Sequence, residues 1–251
     1  MTIASFSLLC LYLATGSYVC SFVLFIFKKR YATELCFICG ILFHTISQVS
    51  RGWFIGIFTP IAMVEGIFFL PWCLAFLMLG VRLSQKDKNL IYPVLIPVLF
   101  FLIVALIYPK GVFPPSPQGQ TVFSSLFFFF EVLAHACFIM GAWYALSYLR
   151  GNDDTRFFHS FIIWGFIFYS IAQVTGAIWC YLGWGSLFNW SQRHLQSAAI
   201  WCFYAAYVHL RYLPSWDIKR KAAYSLAGFA LVLFFIYLGH LREVNMPRLG
   251  G

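Results

Sequence analysis

The chain has 251 residues, of which 62% are hydrophobic and 10% charged; a water-soluble domain carries roughly half and a quarter, so a soluble globular enzyme is excluded. The net charge of +9 does not signal a nucleic-acid partner, because the basic residues sit in short connections between apolar runs and build no extended patch. What remains is an all-α, polytopic membrane protein whose surface mostly faces a lipid bilayer.

Eight apolar runs near 3–27, 32–50, 61–83, 90–108, 125–149, 157–182, 195–213 and 222–240 each approach the ~20 residues needed to cross a ~30 Å hydrocarbon core as a helix. The first lacks a small-residue cleavage site and ends in Lys28, Lys29 and Arg30, which reads as a retained helix and not a signal peptide. Alternate connections hold twelve Lys and Arg, against five on the other side (Arg51, Lys110, Arg193, Arg242 and Arg248). The positive-inside rule then puts both termini outside. With no internal repeat, the expectation is one helical domain over 1–251.

In chain order, helix 1 carries Gly16 and several serines, small residues that let helices approach closely. Helix 2 contains Cys36 and Cys39, a CxxC without zinc-spaced histidines; the eight cysteines, scattered through apolar runs, read as buried hydrophobes. The same helix ends in HTISQVSRGW, which sets His44, Gln48 and Arg51 on one face. His44 has two readings, a functional group at membrane depth and a hydrogen bond to a neighbouring helix. Glu65, at the top of helix 3, could pair with Arg51 or Arg193. Helix 4 is uniformly apolar, and the proline-rich segment PKGVFPPSPQGQT after it reads as an extended external connection.

Counting back ~20 residues from Leu149 brings helix 5 into the membrane near Phe130 and leaves His135 about 7 Å below the outer surface. Helix 6 carries His159 at its cytoplasmic start, the position of a solvated or headgroup-level residue. The stretch Gly176–Arg211 then joins two apolar helices through a loop with Trp184 and Trp190. His194 lies just after it, and His209 near the end of helix 7. Two tryptophans at a membrane edge are either an interfacial belt or a platform for a flat apolar ligand. Helix 8 runs outward to His240.

The order Gly-Ala-Ile-Trp, Trp-Gly-Ser, Trp, Ile-Trp and Tyr-Val-His-Leu-Arg along this stretch resembles the cytochrome c assembly family of the CcsA/ResC type, related to CcmC and HemX. The family's external loop, here 183–194, has the form WGxxWxWDxxE. Trp184, Gly185, Ser186 and Trp190 fit it, while Phe188, Ser191 and His194 stand where the family has Trp, Asp and Glu. Arg51, Trp53, Pro60 and Glu65 follow the order of a second family segment, with Val64 and Gly66 in place of its Tyr and Ser. The contexts of His135 and of Gly239–His240 resemble the family's external histidines.

The resemblance implies a protein that binds haem b at its external face and presents it for cytochrome c maturation, with the iron between His135 and His240 and the porphyrin over Trp184 and Trp190. His209 would help admit haem from the cytoplasmic side. His194 has no family counterpart as a ligand; it either donates to a propionate together with Arg193 or marks the interface. Partners implied are apocytochrome c and a companion membrane protein of the CcsB/ResB type. The setting would be a bacterial inner membrane or a thylakoid, and the activity a haem lyase or synthase. Two other readings stand: a haem-b-binding electron-transfer or accessory subunit of a respiratory complex, and a HemX-like regulator, against which the two tryptophans argue.

Overall fold

A computed structural model describes residues 3–60, 63–84, 95–107, 117–151, 156–188 and 190–238. Among them are eight α-helices and no strand: α1 (Ile3–Ile26), α2 (Arg30–Ile55), α3 (Met63–Ser84), α4 (Leu95–Ile107), α5 (Val122–Leu149), α6 (Arg156–Trp184), α7 (Gln192–Leu210) and α8 (Ile218–Val232), the last continued by a π-helical turn, Leu233–Leu238. Each falls on one of the eight expected apolar runs, so the protein is an all-α integral membrane protein. Five helices, α1, α2, α3, α5 and α6, are long and apolar enough to cross a membrane by length and composition. The described part of α4 is a shorter apolar helix, and α7 carries Gln192, Arg193, His194 and Gln196 in its first turns, which dilutes its hydropathy.

The chain packs as two compact units, Met1–Gln120 and Thr121–Gly251. In the first, α1 and α2 lie side by side. Gly40 allows this approach, since a Cβ there would sit 2.8 Å from the Tyr18 ring, closer than packed carbon atoms tolerate. Serines tie the hairpin: Ser7 Oγ donates to Ser47 O at 2.8 Å and Ser47 Oγ to Ser7 O at 2.7 Å, while Ser21 Oγ donates to Thr33 O at 2.9 Å. These bonds satisfy hydroxyls that have no water to turn to inside a bilayer.

Helix α3 holds Pro71 in its interior, which removes one backbone N–H and crowds the carbonyl four residues earlier. Beside this point the Phe68 carbonyl takes two side-chain donors from α2, His44 Nε2 at 3.2 Å and Gln48 Nε2 at 3.2 Å. Of the two readings of His44, the structure shows the hydrogen bond to a neighbouring helix. Trp72 Nε1 donates to Thr45 Oγ1 at 2.9 Å. Two ion pairs brace α2 against α3: Arg51 with Glu65, and Arg82 with Glu34 at 2.5 Å. Glu65 thus takes the first of its two expected partners. Helix α4 is amphipathic in burial though not in composition. Leu95, Val98, Leu102 and Ala105 are buried, and Ile96, Phe100, Ile103 and Ile107 are exposed.

In the second unit α5 is the central strut, buried almost continuously from Ala134 to Ala142. Thr121 caps it, Oγ1 accepting from Ser124 N at 3.2 Å. The helix begins at Val122, three residues before the expected run 125–149. His135 therefore lies near the middle of a 28-residue helix. Gly165 on α6 admits the Phe138 ring, which a Cβ would meet at 2.6 Å. The Phe138 and Tyr204 rings stack at 3.6 Å. Helix α7 is fastened to α6 by Trp201 Nε1 donating to Ser170 Oγ at 3.0 Å, and to α8 by Tyr224 Oη donating to Phe203 O at 3.0 Å.

Candidate functional site: the tryptophan loop and the histidines of the second unit

Gly185 closes α6. Its φ of 73° is left-handed, a conformation open to glycine at little cost, and its N–H donates to Tyr181 O at 2.8 Å. Helix α6 thus runs through Trp184, and α7 begins at Gln192. The non-helical link is shorter at both ends than 183–194: Trp184 stands on the last turn of α6, and Arg193 and His194 in the first turn of α7.

Around this link the apolar side chains point outward: Trp184 is 62%, Leu187 57%, Phe188 42% and Trp190 82% exposed. A water-facing patch of that kind would be costly. At a membrane edge it is either a belt or a docking shelf. The rings are ordered against one another: Trp179 stacks on Phe127 at 5.9 Å and meets Trp184 edge-on at 5.4 Å. Phe188 packs between Trp190 and His194, both at 5.4 Å. Phe188, where the family pattern has Trp, keeps an aromatic ring at that place.

His194 is held on both sides. Its Nδ1 lies 2.8 Å from Ser191 Oγ, and its Nε2 3.4 Å from Cys180 Sγ. Arg193 is exposed on the same turn.

His135 is 1% exposed, its ring 5.9 Å from that of Tyr169. Glu131, one turn earlier on the same face, is 2% exposed, and its Oε2 accepts no hydrogen bond. Tyr169 Oη donates to Ser197 O at 3.4 Å. The interior of this unit therefore holds a carboxylate, an imidazole and a phenol contributed by α5 and α6. Phe127, which reaches Trp179 and through it Trp184, precedes His135 by eight residues, about 12 Å along the helix axis. The tryptophan level and the His135 level are thus offset along α5. His240 lies outside the described residues.

Near the other end of α7, His209 is exposed, its Nδ1 2.8 Å from Ala205 O. His159 bonds the Tyr207 hydroxyl at 2.5 Å. Tyr207 and His209, two residues apart on a helix, face different ways, and His159 is engaged with the first. Sequence reasoning missed Glu131, although an acidic residue inside an apolar run (FEVLAH) was a signal in plain view. It also missed the contact of Cys180 with His194, which no spacing rule finds.

Taken together, these features define a polytopic helical membrane protein with an aromatic, outward-facing link between two helices and buried polar groups on α5 and α6. The family described as "Cytochrome C assembly protein" matches residues 61–243, most of the chain, and the protein belongs to that family. It is 25% identical over 245 residues to the cytochrome c biogenesis protein CcsA of Prochlorococcus marinus subsp. pastoris, covering 79% of this chain and 76% of that one. With the CcsA of Chlamydomonas reinhardtii it shares 26% over 201 residues, 70% of this chain and 56% of the relative. The match to the CcsA of Prochlorococcus marinus strain MIT 9515 is higher, 36%, but over 86 residues, 34% of this chain and 27% of that protein. In that last alignment the chain spans about a quarter of its relative's length.

Proposed function

We propose that this protein acts in cytochrome c biogenesis by binding haem at its external face and presenting it to an apocytochrome. The observation that carries the reading is the exposed aromatic link Trp184–Trp190 in a chain of the cytochrome c assembly family. Haem brings the vinyl groups to which cysteine thiols add; the protein brings position. In this reading Trp184 and Trp190 hold the porphyrin by stacking, and Arg193, exposed beside them, takes a propionate in a charge-assisted bond. His135 and His240 would offer neutral imidazoles to the iron, which requires haem entry to uncover His135, 1% exposed and offset along α5 from the tryptophan level. His194, with both nitrogens engaged, anchors the base of the shelf. His209, at the opposite end of α7, serves the cytoplasmic side by admitting haem. The apocytochrome would supply two thiols and its own histidine, and this chain's part is to hold the two reactants in position. A companion protein of the CcsB/ResB type and a bacterial inner membrane or thylakoid complete the reading.

A second reading, a haem-b-binding accessory or electron-transfer subunit, is favoured by one observation: Ser191 and His194 occupy the places of the family's two carboxylates. The two separate by experiment. The purified chain should show a low-spin haem spectrum, oxidised and reduced, with a pyridine haemochrome of b type. Co-expression with an apocytochrome and a companion protein in a host lacking its own system should yield haem that survives denaturing gels. Haem reduced by quinol with no covalent product would select the second reading, and no haem at all would defeat both.

A further inference from the structure

Cys180, His194 and Ser191 form a hydrogen-bonded line across the tryptophan link, 14 residues separating the thiol from the imidazole. Cys180 stands one turn before Trp184 on α6, and His194 in the first turn of α7. All three side chains are half-buried, so the sulfur is neither sealed in a core nor free in solvent. Ser191 occupies the N-cap position of α7 with extended backbone angles, yet its side chain makes no capping bond. A capping serine ordinarily contributes on the order of 1 kcal/mol by accepting a backbone N–H. Here the hydroxyl turns to His194 Nδ1 instead. In the tautomer with Nδ1–H donating to Ser191 Oγ, the Nε2 lone pair faces Cys180 Sγ and can take the thiol proton. Nucleophile, base and orienting group stand in the order that activates a thiol.

We infer that Cys180 is a reactive thiol that exchanges with a disulfide on an exported polypeptide, the substrate class being a Cys-x-x-Cys segment closed as a disulfide. The choice of substrate rests on the proposed function: attachment consumes two free thiols, whereas the external compartment drives such pairs to disulfides. The chemistry itself rests on the geometry alone. His194 Nε2 takes the proton from Cys180, and the thiolate attacks one sulfur of the substrate disulfide. The Cys180–sulfur bond forms as the substrate's S–S bond breaks, and the departing thiolate receives the proton from His194. The products are a mixed disulfide and one free substrate thiol, with no net change of oxidation state. A dithiol reductant then attacks the Cys180 sulfur and releases the substrate's second thiol. Its own second thiol closes the reductant's disulfide and frees Cys180, so the substrate gains the two electrons that the reductant loses.

The test uses the full chain in detergent with an oxidised Cys-Ala-Ala-Cys-His peptide, the adduct at each cysteine being followed by mass spectrometry. Cys202, exposed on α7, is the internal control. The inference expects Cys180 to form the mixed disulfide about tenfold faster than Cys202 at neutral pH, with a pH profile that follows an imidazole rather than an isolated thiol. His194→Ala should slow capture and return the profile to that of an ordinary thiol. Ser191→Ala should slow it less. Cys180→Ser should abolish the adduct at this position and leave haem occupancy unchanged. Capture at Cys180 no faster than at Cys202 in the unaltered chain overturns the inference without recourse to any variant. Capture in a chain that holds no haem would defeat the haem reading and uphold the thiol site, and equal rates with oxidised glutathione would overturn the substrate class.

Discussion

The two units differ in what their charged and imidazole side chains meet. In the first, charged groups are consumed as braces: Arg51 meets Glu65, Arg82 meets Glu34, and His44 and Gln48 share the Phe68 carbonyl. In the second, Glu131 keeps one oxygen without a hydrogen bond, His194 is aligned on a thiol, and four large apolar residues face outward at the tryptophan link. A polar residue at membrane depth is costly and therefore needs a reason. In the first unit these groups fasten helix to helix; in the second the proposed function assigns them to ligand handling. Substitutions should accordingly damage structure in one unit and ligand handling in the other.

The largest contrast is expected at the two buried imidazoles. His135→Ala should remove most of the bound haem or drive the remainder to high spin, as iron loses one axial ligand, in addition to the stability lost to the cavity it leaves in the core. His44→Ala should keep the haem spectrum and lower the melting temperature. Unchanged low-spin haem in the His135 variant would refute its place at the iron.

Next in size is the Arg51–Glu65 pair, whose side chains are 15% and 12% exposed. Removing one partner of a buried pair leaves a stranded charge and typically costs about 3–5 kcal/mol. Glu65→Ala alone should therefore destabilise more than Arg51→Ala and Glu65→Ala together, as read by thermal unfolding. Hydrogen exchange should localise the loss to α2 and α3. Equal effects in the single and double variants would mean that the pair is screened and contributes little.

Overpacking gives a smaller effect that tests both units alike. Gly165→Ala drives a Cβ into the Phe138 ring, and Gly40→Ala drives one into Tyr18. Inserting a methyl group into a close-packed contact costs about 1–3 kcal/mol. Trp190→Ala belongs to the same range but to a different observable. Loss of a stacking ring should weaken haem by about 1–3 kcal/mol with the spin state kept, and stability should hold because Trp190 is 82% exposed.

How much of this was legible in the sequence differs by level. The eight helices were, because each apolar run is long and the charges between runs mark its ends. The start of α5 was read to within three residues, Val122 against 125. The tryptophan link was legible from its residues, and so was the choice between partners for Glu65, narrowed to two. The line from Cys180 through His194 to Ser191 was not. It joins residues across a turn, and only the Gly185 backbone and the placement of α6 beside α7 bring sulfur and imidazole to 3.4 Å.

The smallest effect distinguishes two helix starts that look alike in sequence. Asp217 and Ser191 both occupy N-cap positions with extended backbone, ahead of α8 and α7. Asp217 Oδ1 accepts the Arg220 N–H at 2.8 Å, so Asp217→Ala should cost about 1 kcal/mol of stability. Ser191 makes no such bond, its hydroxyl being turned to His194. Ser191→Ala should therefore leave thermal stability within about 0.5 kcal/mol of the parent, the range of surface substitutions away from caps and cores, while slowing thiol exchange at Cys180. If Ser191→Ala destabilised α7 as much as Asp217→Ala destabilises α8, the hydroxyl would be an ordinary cap, and His194 would have lost the group that orients it.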